Sequence, residues 1–218
     1  MKSDLIQVLK HLALLGGVHD YIIISSAELG EILNISQQSA SRKILQCLDE
    51  QLITRRLGAR RQQIKLTPKG LEILRREHSD YLRLFETLEH LTIRGVVTSG
   101  LGEGQYYVMQ KEYLEQFRKK LWFEPYKGTL NLKLAGGELS KLNVLKESEG
   151  ILIEGFEGRN RTFGGCKCFL AEIQDVECAV VLPRRTHYTD IIEIISKECL
   201  RKKLGLMDGD VVEVMINL

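Results

Sequence analysis

The chain has 218 residues, which suits one large or two small domains, and 44% hydrophobic with 28% charged content is ordinary for a soluble globular protein. A formal charge of +2 is too small to name a partner by itself. No run approaches the ~20 apolar residues needed to span a bilayer, and no N-terminal segment joins a basic flank, an apolar run and a small-residue cleavage site, so the sequence predicts a cytoplasmic protein. The five cysteines, Cys47, Cys166, Cys168, Cys178 and Cys199, are odd in number and scattered, which predicts reduced thiols and no disulfide framework. Cys166 and Cys168 would share one face of a strand, yet they lack the two-residue gap and the second ligand pair of a zinc site.

In chain order, the first ~90 residues read as helices with one short hairpin. Leu5, Val8, Leu9, Leu12 and Leu15 line one face of an opening helix that Gly16 and Gly17 end. Ser25 or Ser26 can cap a second helix, with Glu28 placed for a capping box. Ser36 starts a third, with Ala40, Ile44, Leu45, Leu48 and Leu52 inside and Gln37, Gln38, Ser41 and Arg42 outside. Short polar and amide side chains of that kind suit base edges and phosphates. Residues 52–56 and 62–66 then form a hairpin around Arg60 and Arg61, and Thr67-Pro68 opens a long helix with proline at its first position. Six basic residues (Arg55, Arg56, Arg60, Arg61, Lys65, Lys69) and no acid lie between Glu50 and Glu72.

Leu71, Leu74, Leu82, Phe85, Leu88 and Leu91 continue the apolar side of the long helix. From Ile93 onward the pattern changes to period two with glycine-spaced short segments, which puts a domain boundary at 91/92: domain one over 1–91, domain two over 92–218. Strands are expected over 93–98, 106–109, 129–134, 151–154, 169–173, 179–182, 191–195 and 211–216. Helices are expected over 111–122 and 198–204. So many short strands predict a barrel or sandwich.

Two segments of the second domain carry chemistry. Gly100, Gly102 and Gly104 alternate in Ser-Gly-Leu-Gly-Glu-Gly, so backbone N–H groups there can approach an anion with no Cβ in the way; the same run is also a good tight turn. In the strand beginning at Thr129, Thr129 and Asn131 project from one face while Leu130 and Leu132 enter the core. Both are neutral hard-oxygen ligands, which hold Mg²⁺ well only when nucleotide phosphates complete the octahedron. No G-x-x-x-x-G-K-[ST] occurs, so a nucleotide-using enzyme built here is not a P-loop protein.

The glycine run, Phe123-Glu124-Pro125-Tyr126-Lys127-Gly128-Thr129-Leu130-Asn131, Pro183-Arg184-Arg185-Thr186-His187-Tyr188 and Ile191-Ile192-Glu193-Ile194-Ile195 together resemble the archaeal CTP-dependent riboflavin kinases, from about Ile93 to the C-terminus. The resemblance implies a small cradle-loop β-barrel, making the whole an α+β multidomain protein, and an enzyme that transfers the γ-phosphate of CTP to riboflavin. It implies that Gly100, Leu101, Gly102, Glu103, Gly104, Gln105 and Tyr106 wrap the nucleotide, with Glu198, Cys199, Leu200 and Arg201 completing its site. Thr129 and Asn131 would bind Mg²⁺, and Thr186 and Glu193 would contact the flavin. Glu193 is the residue best suited to orient the ribityl hydroxyl, although on its own pattern it is equally an outward residue of an alternating strand.

The helix, hairpin and helix order of residues 5–90, with Leu66-Thr67-Pro68-Lys69-Gly70 after the wing, resembles the winged helix-turn-helix of MarR-like regulators. That implies duplex DNA as a partner, through Gln37, Gln38, Ser41, Arg42, Arg60 and Arg61. Winged helices also serve as dimerisation or docking modules. The alternative from another class is a flavin-sensing transcription regulator whose kinase-like barrel only binds ligand.

Overall fold

The computed structural model describes residues 3–57, 61–85, 89–100, 103–158, 161–184 and 189–218. The chain divides into two compact units, Met1–Asp80 and Tyr81–Leu218.

In the first unit, helix α1 (Ser3–Leu12) runs into a π-helical turn at Ala13–Gly17 and is followed by strand β1 (Ile22–Ile24). Next come α2 (Ser26–Leu33), α3 (Gln37–Asp49), strands β2 (Ile53–Leu57) and β3 (Gln62–Leu66), and α4 (Pro68–Phe85), within which the division between the units falls. The start of α2 is fixed by a capping box: Ser25 Oγ accepts from Glu28 N at 3.1 Å while Ser25 N donates to the Glu28 carboxylate at 2.7 Å. Ser36 caps α3 by accepting from Ser39 N. Leu5, Val8, Leu9, Leu12, Leu29, Ala40, Ile44 and Ile64 form one buried core, each large side chain contributing about 1.5–3 kcal/mol against exposure.

Two expected core positions point outward. Leu15 is 49% and Leu45 45% exposed. Leu15 lies in the π turn, where the extra residue rotates it off the face set by Leu5, Val8 and Leu12; Leu45 follows Ile44, whose side chain already takes the inward place. The hairpin gains a third strand that periodicity did not single out, β1, antiparallel to β3.

In the second unit, strands β4 (His90–Thr98), β5 (Leu130–Lys133), β9 (Cys166–Ile173), β10 (Val176–Pro183), β11 (Ile191–Ile195) and β12 (Val211–Asn217) form a closed six-stranded antiparallel barrel. The strand order is β10-β11-β5-β4-β12-β9, and β9 returns to β10. Strand β6 (Ile151–Ile153) extends β9, and β7 (Phe156–Glu157) with β8 (Thr162–Phe163) makes a separate hairpin. Helices α5 (Glu103–Val108), α6 (Lys111–Lys120), α7 (Glu138–Glu147) and α8 (Leu200–Lys203) complete the unit.

Period-two alternation sorts the two faces of the strands. Leu130, Leu132, Val180, Ile192, Ile194, Val212 and Val214 fill the barrel interior. Cys168, Ala179, Val181 and Ile195 face outward and are covered by Tyr113, Phe117 and Leu121 of α6 and its end. The outer face of β9, β10 and β11 is therefore a second apolar layer, and polar residues on the continuing face of β5 and β4 stand at its edge.

Residues 106–109, expected as a strand, lie instead in α5 and the turn after it. The aromatic β-propensity of Tyr106-Tyr107-Val108 is overridden because Val108 is buried and Tyr107 meets Phe163 edge-on at 6.0 Å. Phe85, expected on the apolar side of α4, is 81% exposed, while Leu88 lies outside the described residues. The division at Asp80/Tyr81 comes before the expected 91/92 because Leu82 packs on the barrel core and Leu91 already pairs with Ile216 in β4.

Candidate active site

The site grows from strand register. Thr98 on β4 faces Asn131 on β5, Asn131 faces Glu193 on β11, and Glu193 faces Val181 on β10. Residues paired in this way share one face with Cα atoms about 5 Å apart. A hydroxyl, an amide and a carboxylate thus stand in a row on the outside of the barrel, and the row runs directly into the apolar layer.

Asn131 is one of few buried polar residues, 8% exposed. Thr129 Oγ1 donates to Asn131 Oδ1 at 3.0 Å, so the two oxygens are held side by side while Leu130 and Leu132 enter the core. Both glycines of the run that are described in full press on this pair. A Cβ on Gly100 would stand 2.0 Å from Asn131 Nδ2, and one on Gly104 would stand 2.6 Å from Thr129 Oγ1. Glycine is required here for close approach, and the run is thereby brought against Thr129 and Asn131 although about 30 residues separate them in sequence.

On the other side of the row lies a cleft of about 300 Å³ lined by Leu142, Lys146, Lys167, Val181, Leu182, Pro183, Arg184, Ile191 and Glu193. Apolar walls with a few charged groups at the rim suit a flat heteroaromatic ligand, and Glu193 is the carboxylate that joins this cleft to the Thr129/Asn131 pair.

The 198–201 segment reaches the same end of the barrel. Arg201 Nη2 donates to the Thr98 carbonyl at 2.9 Å and meets Asp208 Oδ1 at 2.7 Å, while Ser99 Oγ donates to Asp208 Oδ2 at 2.6 Å. The Ser99 hydroxyl first, and Arg201 second, hold the Asp208 carboxyl below the ordinary aspartate range.

The family model for the CTP-dependent riboflavin kinases, described as domain of unknown function DUF120, matches residues 97–216. The whole chain is similar to riboflavin kinase from Archaeoglobus fulgidus, 45% identical over 99% of this chain and 93% of that protein. Riboflavin kinase from Thermoplasma acidophilum is 46% identical over 88% of each chain, and that from Methanosarcina barkeri 45% over 97% of this chain and 95% of its own. The chain belongs to the CTP-dependent riboflavin kinase family. It is an enzyme, a kinase.

Among the residues that the family resemblance singles out, Gly100, Gly104, Thr129, Asn131, Glu193 and Arg201 are gathered at one end of the barrel by the contacts above. Gln105 and Tyr106 follow Gly104 in α5 and are exposed. Cys199 precedes α8, and Glu198 pairs with Lys203 at 3.0 Å. Leu200 puts its side chain into the barrel core. Leu101, Gly102 and Thr186 lie outside the described residues, as does the side chain of Glu103. Among the described residues no helix is long and apolar enough to cross a membrane, and no group of three or more His, Cys, Asp or Glu is gathered as a metal cluster.

Two members of this end of the kinase fold carried no sequence signal. Asp208 sits in an ordinary-looking Met-Asp-Gly-Asp turn. Arg161, beside the β7–β8 hairpin, places its guanidinium carbon 5.7, 5.2 and 5.1 Å from the ring centres of Tyr106, Tyr107 and Phe163 and donates to the Tyr107 hydroxyl.

In the first unit, Gln37, Gln38 and Arg42 of α3 are exposed and Ser41 is partly so. Arg61 pairs with Glu28 at 3.2 Å, Arg56 lies over the Tyr21 ring at 4.1 Å, and Arg60 lies outside the described residues.

Proposed function

We propose that this protein transfers the γ-phosphate of CTP to the 5′-hydroxyl of riboflavin, giving FMN and CDP. The observation that carries this reading is the row Thr98, Asn131, Glu193, Val181, with Gly100 and Gly104 packed on one end and the apolar cleft opening at the other. The family's other members named riboflavin kinase support the acceptor, and the family itself supports CTP as donor.

Thr129 and Asn131 fit Mg²⁺ by chemistry: two neutral oxygens fixed beside each other, with the glycine backbone brought close against them. When bound, Mg²⁺ would supply charge neutralisation on the phosphate oxygens. The chain's own residues do the rest by alignment, because a loose phosphoryl transition state needs positioning and charge stabilisation above all. The glycine backbone and Arg201 hold the phosphates. Glu193 holds the flavin at the cleft and orients the ribityl hydroxyl toward the γ-phosphorus. As the new P–O bond forms, the bond to the β-phosphate oxygen breaks, and the hydroxyl proton passes to the Glu193 carboxylate. Purified protein given riboflavin, CTP and Mg²⁺ should form FMN, read by chromatography; no FMN under any of these conditions would overturn the reading and favour a ligand-binding barrel.

The first unit we read as a winged helix-turn-helix that binds duplex DNA, with α3 as the recognition helix and β2–β3 as the wing. What supports it is the exposure of Gln37, Gln38 and Arg42 together with the unbroken basic content of the hairpin. Salt-dependent retention of labelled duplex DNA by the full chain tests it, and no binding at any salt would favour a docking module.

A further inference from the structure

We propose that Asp208, with Ser99, is a positioning residue that presets Arg201 for the nucleotide phosphates. This rests on the reading that Arg201 belongs to the nucleotide site.

The turn that carries Asp208 is sewn to the end of β4. Gly209 N donates to the Val97 carbonyl at 2.9 Å, Val97 N donates to the Asp210 carbonyl at 2.8 Å, and Met207 N donates to the Asp210 carboxylate at 2.7 Å. The backbone on either side of Asp208 is therefore held, by Gly209 against β4 and by Met207 on the Asp210 carboxylate. One oxygen of the Asp208 carboxylate takes the Ser99 hydroxyl and the other takes Arg201 Nη2, at 2.6 and 2.7 Å.

The same Nη2 also donates to the Thr98 carbonyl, one residue before Ser99 and two before the glycine that presses on Asn131. All of the anchoring falls on Nη2. Among the described residues, Nη1 and Nε have no hydrogen-bond partner, and these donors remain for an anion. A long cationic side chain loses rotamer freedom when it grips a phosphate; a guanidinium already fixed by Asp208 and Thr98 has met that cost in advance.

An ion pair with side chains 32% and 54% exposed adds little to fold stability, so its stapling role alone gives slight advantage. Its geometry instead joins two segments that the nucleotide must meet together, the start of the glycine run and the 198–201 segment. No motif reveals this, since Asp208 stands over a hundred residues from the glycine run and seven past Arg201 in an ordinary-looking turn.

The test compares Asp208→Asn, Ser99→Ala, Arg201→Ala and the Asp208→Asn/Arg201→Ala double variant. CDP affinity is measured by calorimetry in Mg²⁺, beside KM for CTP, KM for riboflavin and the thermal midpoint. Asp208→Asn should weaken CDP roughly tenfold, the size expected when a charge-assisted hydrogen bond is lost. The riboflavin KM and the thermal midpoint should stay as in the parent. Ser99→Ala should shift CDP affinity in the same direction by less, and the double variant should bind CDP no more weakly than Arg201→Ala alone. Parental CDP affinity in Asp208→Asn, additive losses in the double variant, or a parallel rise in riboflavin KM would each overturn the proposal. If Arg201→Ala weakens CDP and Asp208→Asn does not, only the positioning role falls. If Arg201→Ala binds CDP as the parent does, the reading of Arg201 as a nucleotide residue falls with it.

Discussion

Replacing Gly104 with Ala probes the contact between the glycine run and the Thr129/Asn131 pair. The new Cβ would lie 2.6 Å from Thr129 Oγ1, well inside the 3.4 Å at which ordinary contact begins, and 3.1 Å from Thr129 Cγ2. Neither backbone strain nor a lost hydrogen bond at residue 104 enters, because Gly104 does not take a positive φ. Relief requires Thr129 to turn or the loop to retreat, and either move breaks the 3.0 Å Thr129 to Asn131 hydrogen bond or opens the site. Overpacking of this kind costs about 1–3 kcal/mol. Expressed wholly in the transition state, that is roughly a 5- to 150-fold loss of turnover. Gly100→Ala should be worse, since its Cβ would meet Asn131 Nδ2 at 2.0 Å, whereas Gly137→Ala, with nothing within 4 Å, serves as a silent control. Initial rates of FMN formation, beside circular dichroism for the fold, give the answer. Parental rates in both Gly100→Ala and Gly104→Ala would refute the contact's importance.

Asn131→Ala and Thr129→Val should each cut Mg²⁺-dependent turnover severely while leaving riboflavin fluorescence quenching intact; parental turnover in either removes that residue from the proposed metal site. A fragment starting at Tyr81 should fold and phosphorylate flavin, whereas one starting at Thr92 loses Leu91, buried opposite Ile216, and should be less stable by about 2 kcal/mol or more in urea titration; equal stability would restore the later boundary. Replacing Arg60 and Arg61 with Ala should weaken duplex DNA binding at all sequences and lower the salt slope by roughly two, with FMN formation untouched. Burial pushes the Cys47 and Cys178 thiols up to about 12, so at pH 8 both remain protonated and should resist alkylation, while the partly exposed Cys199 reacts first by mass spectrometry. Faster labelling of Cys47 or Cys178 in folded protein would contradict their placement.

Much of the barrel was legible because its strands alternate, and alternation is a local property: β11 falls on its expected residues 191–195, and β5 and β12 within one or two residues of theirs. The side-by-side disposition of Thr129 and Asn131 was legible for the same reason. Residues 106–109 were not, since two tyrosines and a valine read as strand until the packing of Val108 and Tyr107 turns them into a helix. Helix α7 escaped notice because its buried Leu142, Val144 and Leu145 do not keep one clean helical face. The meeting of Asn131 with Glu193 and of Ser99 with Asp208 depends on register and on loop return, which no single stretch encodes. The unit boundary was displaced because the apolar pattern of α4 continues past Asp80 in side chains such as Leu82, which serve the second core.

The most direct measurement follows the phosphorus itself. Purified full-length protein is incubated with riboflavin, Mg²⁺ and a mixture of four nucleoside triphosphates, only one of which carries a labelled γ-phosphate in each run. Label in FMN from CTP and from no other nucleotide is the expected result. FMN that carries no label from CTP, or no FMN at all, would contradict the account.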